Sequence, residues 1–238
     1  MIKSQVKYIQ SLSHKKQRDE DGVFIVEGSK LVDEMLSATN VDLVELYALE
    51  SWAKNYSHLP VEMIALHELE KISALQTPNQ VVGLFKKPVI TSAVPLHEQL
   101  MIMLDTIQDP GNLGTIIRCA DWFGIETIIA SKDTVDAFNT KVVQSTMGSI
   151  ARVKVVYTDL EEFIARNPRL DYYAAALDGA PLAGFTPIEK GVIMIGNESK
   201  GLADKLLARA THKITIPRKG KAESLNAAVA TAIILSHC

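Results

Sequence analysis

Three short stretches of the 238-residue chain hold the residue types from which a ligand site can be built. The first runs Asp105-Thr106-Ile107-Gln108-Asp109-Pro110-Gly111-Asn112-Leu113-Gly114 and reaches Arg118 one helical turn later. The second is Gly196-Asn197-Glu198-Ser199-Lys200-Gly201-Leu202. The third begins at Ile216-Pro217, passes through Arg218-Lys219-Gly220-Lys221, and continues Glu223-Ser224-Leu225-Asn226-Ala227-Ala228. Glycines let a backbone approach a ligand closely, and asparagine amides both donate and accept. A guanidinium holds phosphate or stabilises a developing negative charge. Each stretch alone is also what a tight turn with capping residues looks like. Familiar nucleotide motifs fail. Gly196 to Gly201 has P-loop spacing, but Leu202 and Ala203 stand where Lys and Ser or Thr must reach phosphate and magnesium. No Gly-x-Gly-x-x-Gly follows an expected strand, and no Gly-x-Ser-x-Gly elbow is present. The histidines, at 14, 58, 67, 97, 212 and 237, and the cysteines, Cys119 and Cys238, lack metal-binding or disulfide spacing, so no metal is expected.

The net charge of −3 conceals an uneven distribution. Residues 1–18 carry Lys3, Lys7, Lys15, Lys16 and Arg18 without an acid. Residues 205–222 carry Lys205, Arg209, Lys213, Arg218, Lys219 and Lys221, again without an acid. Two acid-free basic segments in a mildly acidic protein point to local phosphate contact, with Lys15, Lys16 and Arg18 on one track and Arg218, Lys219 and Lys221 on another. At 47% hydrophobic and 22% charged residues, disorder is excluded as the global state. No apolar run approaches the roughly 18 residues of a membrane helix, and the N-terminus lacks the apolar core of a signal peptide. A cytoplasmic protein without a membrane span is the expectation.

The elements that must position these loops are legible in the hydrophobic pattern. Val6, Ile9 and Leu12 suit a short amphipathic helix. Strands are expected at Val23–Val26, Val41–Leu49, Val61–Ala65 and Val81–Phe85, with helices at Lys30–Ser37, Ser51–Tyr56 and Glu68–Ala74, and with Ser29 as a cap. This alternation predicts a small α/β domain over 1–90. A linker is expected over 91–97, and a second domain over 98–238. There, strands are expected at Leu100–Leu104, Thr127–Ala130, Ala151–Val156, Tyr172–Leu177, Gly191–Ile195 and Lys213–Ile216. Helices are expected at Gly114–Phe123, Thr140–Ser145, Leu160–Arg166, Ala203–Ala210 and Ser224–Ser236. Its strands are apolar without alternation, which predicts a mostly parallel sheet covered on both faces. Tyr8, Phe24 and Trp122 read as packing residues.

The set Asn112-x-Gly114-x-x-x-Arg118-x-Ala120, Gly196-Asn197-Glu198-x-x-Gly201-Leu202, and Ile216-Pro217 leading to Ser224-Leu225-Asn226-x-Ala228-x-Ala230 resembles the three motifs of the SpoU branch of the SPOUT RNA methyltransferases. The likeness covers about residues 98–238. Upstream, Lys7-Tyr8-Ile9-x-Ser11-Leu12, Lys15-Lys16-x-Arg18 and Phe24-Ile25-Val26-Glu27-Gly28 resemble that family's substrate-binding module, which is similar to the ribosomal protein L30e fold.

The resemblance implies an S-adenosylmethionine (AdoMet)-dependent enzyme that methylates a ribose 2′-hydroxyl of RNA, ribosomal RNA being favoured over transfer RNA. It also implies a C-terminal trefoil knot and a homodimer. By the same likeness Gly196, Ile216 and Leu225 contact AdoMet through the main chain, with Leu177 close by. Arg118 is the implied catalytic residue, with Asn112, Glu198, Ser224 and Asn226 around it. The family proposal makes this arginine a base; because a guanidinium keeps its proton, a cationic Arg118 that binds phosphate and stabilises an alkoxide is the alternative. Glu198 could instead accept backbone amides at a helix N-terminus, and Ser224 could be the cap of the last helix. Two rival functions stay open: a non-catalytic RNA-binding or ribosome-assembly protein on the same fold, and an enzyme methylating a base or protein.

Overall fold

A computed structural model describes residues 1–89 and 95–238, and the expected linker at 91–97 therefore falls largely outside the described residues. The chain divides into two units, Met1–Ile90 with Asp136–Ala151, and Thr91–Val135 with Arg152–Cys238.

In the first unit, β1 (Val23–Glu27), β2 (Leu43–Ala48), β3 (Val61–Met63) and β4 (Val81–Lys86) form a sheet of order β1-β4-β2-β3, with β4 antiparallel to both neighbours and β2 parallel to β3. Helices α1 (Lys3–Ser11), α2 (Lys15–Asp21), α3 (Ser29–Ser37), α4 (Glu50–Ala53) and α5 (Leu66–Ile72) accompany it. One core joins Ile9 and Leu12 from the α1 region to Val23, Ile25, Leu69, Val82 and Leu84. The other face of β1 presents Phe24, whose ring meets Phe138 at 5.0 Å between centroids. Phe138 arrives with α7 (Thr140–Thr146), which the sequence places in the second domain and which packs in the first unit. All five residues of β1 are consequently buried. Ser29 is not a cap: Gly28 occupies that position, and no side chain bonds the exposed amides.

Arg18 also differs from expectation. It is 2% exposed, donates to the carbonyls of Leu12 and Ser13 at 2.8 Å, and pairs with Asp136 at 2.5 Å. A cation spent in this way is a structural ion pair, not an RNA contact.

The second unit is a six-stranded sheet of order β10-β8-β9-β5-β6-β7, parallel at every pairing. Its strands are β5 (Leu100–Leu104), β6 (Thr127–Ser131), β7 (Lys154–Thr158), β8 (Tyr172–Pro181), β9 (Gly191–Ile195) and β10 (His212–Thr215), with helices α6 (Pro110–Trp122), α8 (Leu160–Arg166), α9 (Asp204–Leu207) and α10 (Ala227–Leu235). The expected parallel sheet is borne out, and β9 is buried throughout. Boundaries moved where local chemistry outweighed pattern. Ser149–Ala151 is a 3-10 turn, so β7 starts at Lys154. β8 runs on to Pro181 because β10 skips from Tyr173 and Ala174 to Ala180 and Pro181, leaving Ala175–Gly179 as an excursion. No helix among the described residues is long and apolar enough to cross a membrane.

Removing one member of a buried ion pair strands the other charge, at a cost of about 3–5 kcal/mol. Asp136→Ala is expected to lower unfolding free energy by about 3 kcal/mol in urea denaturation, and Arg18→Met with Asp136→Leu by distinctly less.

Candidate functional site

The strand order reverses between β5 and β9: the chain proceeds from β5 to β6 and β7 on one side, then crosses to β8, β9 and β10 on the other. Open parallel sheets bind ligands at such a switch point, outside the carboxyl ends of the strands. The first two loops leave β5 and β9 there, and the third leaves β10.

The first loop ends sooner than its glycines suggest. Asp109 caps α6 by accepting the Asn112 amide at 2.8 Å, and Pro110 occupies the first helical position, where a missing N–H costs nothing. Gly111, Asn112 and Gly114 thus lie in the opening turns of α6, upstream of the expected start at Gly114. From this fixed turn Asn112 donates its Nδ2 to Glu198 Oε1 at 2.5 Å, and its Oδ1 accepts from Asn226 Nδ2 at 2.8 Å. Asn226 in turn accepts the amides of Ala228 and Val229 at 2.9 and 3.3 Å, as the N-cap of α10. One directed row of hydrogen bonds therefore joins all three loops. Its polarity also settles two earlier alternatives. Asn226, not Ser224, caps the last helix, which begins at Ala227, and Ser224 stays exposed in the loop. Glu198 meets Asn112 rather than a helix N-terminus, since the next helix starts only at Asp204.

Sequence reading overlooked the residues that shape the second loop. Asn197 accepts the amides of Ser199 and Lys200 at 3.0 and 3.2 Å, and donates Nδ2 to the Thr106 carbonyl at 3.0 Å. The loop closes by reciprocal backbone bonds between Asn197 and Gly201, with Gly201 at φ +70°. A Cβ on Gly196 would fall 2.2 Å from Gly201 C and Leu202 N, so no side chain fits there. Asp105 accepts the Ala203 amide at 2.9 Å and the Thr106 hydroxyl at 2.9 Å. Thr106 itself sits at φ +59°, a conformation costing about 1–3 kcal/mol for a β-branched residue. Its amide donates to Ser131 Oγ at 2.9 Å, so hydrogen bonds from β5, β6 and the β9 loop together hold it. The available signal was the Asn197 position, two residues before an amide in the manner of an Asx turn.

Arg118 is exposed on α6 and is not joined to this row. Among the described residues it forms no hydrogen bond or ion pair; Asp121 binds Arg152, and Asp105 is engaged as above. Burial pushes the neighbouring Cys119 thiol up, with the charge of Arg118 opposing, which favours the protonated thiol. Leu177, 76% exposed, rides on the β8 excursion, and Leu225 is 45% exposed. Ile216 is half-buried at the exit of β10. The backbone amides of 216–225 donate to no protein group among the described residues. Free main-chain donors beside exposed leucines can hold a ligand that carries both hydrogen-bond acceptors and apolar surface. Among the described residues no cluster of His, Cys, Asp or Glu is placed to hold a metal ion.

Of the basic residues, Lys15 and Lys16 are exposed in i,i+4 pairs with Asp19 and Glu20. Arg218, Lys219 and Lys221 are exposed in the third loop, where Arg218 donates to the Ala222 carbonyl at 3.2 Å. Trp122 is 84% exposed and is not the packing residue it was expected to be.

Residues 99–236 match the model of the SpoU rRNA Methylase family. The chain belongs to that family. Residues 3–83 match the MRM3-like substrate binding domain. Among this SpoU member's relatives is the Bacillus subtilis 23S rRNA (guanosine(2553)-2′-O)-methyltransferase RlmP, 30% identical over 98% of this chain and 94% of the relative. The AdoMet-bound rRNA methyltransferase of Sinorhizobium meliloti superposes with a TM-score of 0.83 at 32% identity, covering 99% of this chain and 94% of that one. The Streptomyces viridochromogenes SpoU methyltransferase AviRb, crystallised with AdoMet, superposes at 0.85 over 99% and 97% of the two chains; at 24% identity it speaks to the fold alone.

Asn112→Asp replaces the donor facing Glu198 by a second carboxylate, and such pairs raise the pKa of one member. The unfolded state then binds fewer protons than the native state, so stability falls as pH rises. Thermal melts of Asn112→Asp and wild type are expected to differ little near pH 4 and increasingly up to about pH 7, the range above ordinary carboxyl pKa values.

Proposed function

We propose that the protein is an AdoMet-dependent RNA 2′-O-methyltransferase acting on ribosomal RNA. The observation that carries this is the Asn112 row, which draws the three SpoU loops together at the switch point of a chain whose family membership is established. Relatives named as rRNA methyltransferases favour ribosomal over transfer RNA, and the bacterial one supports a cytoplasmic protein that meets its substrate there.

AdoMet supplies an activated methyl on a sulfonium sulfur, so the protein's task is alignment and management of one hydroxyl proton. Gly196, Ile216 and Leu225 hold the donor through main-chain groups, with Leu177 against its apolar surface. Asn112, Asn226 and Glu198 fix the distances between the loops that do this. Arg118, exposed and without a protein partner, takes the phosphate next to the target ribose. As the sulfonium C–S bond of bound AdoMet breaks to a neutral thioether, the C–O bond forms and the hydroxyl proton passes to water, the Arg118 cation stabilises the negative charge on the 2′-oxygen. Ser224 stands exposed on the third loop, free to meet the ribose. Arg218, Lys219 and Lys221 add phosphate contacts on the second unit, and Lys15 and Lys16 offer contacts of the same kind on the first; Arg18 is no longer among them.

The C-terminal trefoil knot belongs to the same proposal, supported by the excursion of β8 beside the strand that feeds the third loop. So does a homodimer. Helices α6 and α10 pack together, and Trp122, Phe123, Val229 and Ile233 are exposed on them, an apolar surface suited to a second copy of the chain.

Arg118→Ala is expected to abolish transfer of labelled methyl from AdoMet to RNA while leaving the circular dichroism melt unchanged; full activity would refute the role. Mapping 2′-O-methylation in total RNA from cells with and without the protein should reveal one missing ribosomal position. If no ribose changes, the binding-protein alternative holds. Val229→Asp is expected to halve the mass measured by light scattering.

A further inference from the structure

The edge of the parallel sheet opposite the three loops carries a feature that no run of sequence announces. The segments entering β5, β8 and β9 surround a concavity of about 540 Å³ lined by His97, Arg166, Pro168, Arg169, Asp171 and Lys190, among others. Its cations come from separate places: Arg166 from the end of α8, Arg169 from the turn after it, and Lys190 from the residue before β9. Arg166 is shared with Glu162 across one helical turn. Arg169 and Lys190 form no hydrogen bond or ion pair among the described residues, and both are exposed. Asp171 is the one acid among the described lining residues, so the groove is net positive in a protein that is net negative. Beside it, the Tyr173 ring lies close to Gly191, and the exposed His212 imidazole stacks on Tyr173 at 4.9 Å between centroids, 17° from parallel. Unpaired cations next to an exposed imidazole stacked on the half-buried Tyr173 ring suit a polymer of phosphates and bases better than a single anion.

We propose that this groove is a second RNA-binding site, contacting the sugar-phosphate backbone away from the methylated nucleotide. The proposal rests on the RNA substrate inferred above and adds a requirement on its size. β9 separates the groove from the second loop by five residues, about 16 Å at roughly 3.3 Å per residue. Because β9 is buried, an RNA touching both ends has to pass around the sheet and extend over more than about five stacked steps at roughly 3.4 Å each. A short oligonucleotide can fill the catalytic end alone, whereas a folded ribosomal RNA reaches both.

The test measures binding of in vitro transcribed 23S rRNA by fluorescence anisotropy at several KCl concentrations, with wild type and Arg169→Gln/Lys190→Gln. Each lost phosphate contact removes about 0.7–0.9 from the slope of log K against log salt. The double variant is expected to be shallower by about 1.5, and weaker by roughly tenfold at low salt. A five-nucleotide RNA should bind both proteins equally. Lys154→Gln, an exposed charge at the start of β7, controls for net charge and should leave the slope unchanged. An unaltered slope in the double variant, or an equal fall in Lys154→Gln, overturns the proposal. Methyl transfer by the wild type is assayed separately: its absence would refute the enzymatic reading, while the slopes still decide whether the groove binds RNA.

Discussion

A carboxylate can only accept hydrogen bonds, and the arrangement of the candidate site follows from that asymmetry at Glu198. Because Glu198 must receive a donor, Asn112 turns its amide nitrogen toward it and its oxygen away. The oxygen then demands a donor from Asn226, whose own oxygen is left to accept the first amides of α10. No member can be flipped without opposing two acceptors or two donors. Three loops that leave different strands are thereby held in one relative placement by a row whose direction has a single solution. Substrate-positioning loops require this property, since misplacement of reacting atoms by about 1 Å costs on the order of a hundredfold in rate.

A second set of constraints supports the row from below. Thr106 is held in an unfavourable backbone conformation by Ser131, Asp105 and Asn197, which belong to the ends of three adjacent strands. The cost of that conformation is offset by fastening the first loop to the second at the switch point. Arg118 stands apart from both sets, on a helix whose start is fixed by Asp109 and Pro110. The scaffold thus keeps the two apart: side-chain amides and the Glu198 carboxylate maintain spacing, while the Arg118 cation stays exposed and outside the row.

The loops, the parallel sheet and most strands were legible in the sequence because each depends on local pattern: apolar runs, glycines, and asparagines at strand ends. The partners of those asparagines were not, since Asn112 meets Glu198 and Asn226 from 86 and 114 positions away. Charge counting erred at Arg18 for the same reason; its Asp136 lies 118 residues downstream, and a count does not distinguish a solvated cation from a buried one. Trp122 failed differently. It falls at the end of α6, where periodicity no longer says which way a large ring faces. The groove at Arg169 and Lys190 was invisible because its charges lie in a region whose summed charge is negative.

The visit of Phe138 and α7 to the first unit bears on how the protein is made. Residues 1–90 leave the ribosome first, yet the Phe138 ring and α7, which pack on β1 and Phe24, arrive only when Asp136–Ala151 has been synthesised. At about 5–20 residues per second, the intervening stretch of about 60 residues takes roughly 3–12 seconds. During that interval the nascent first unit lacks the Phe138 and α7 part of the covering over Phe24. Its completion is timed by translation of the second unit, so the two units mature in an interleaved order and not one after the other.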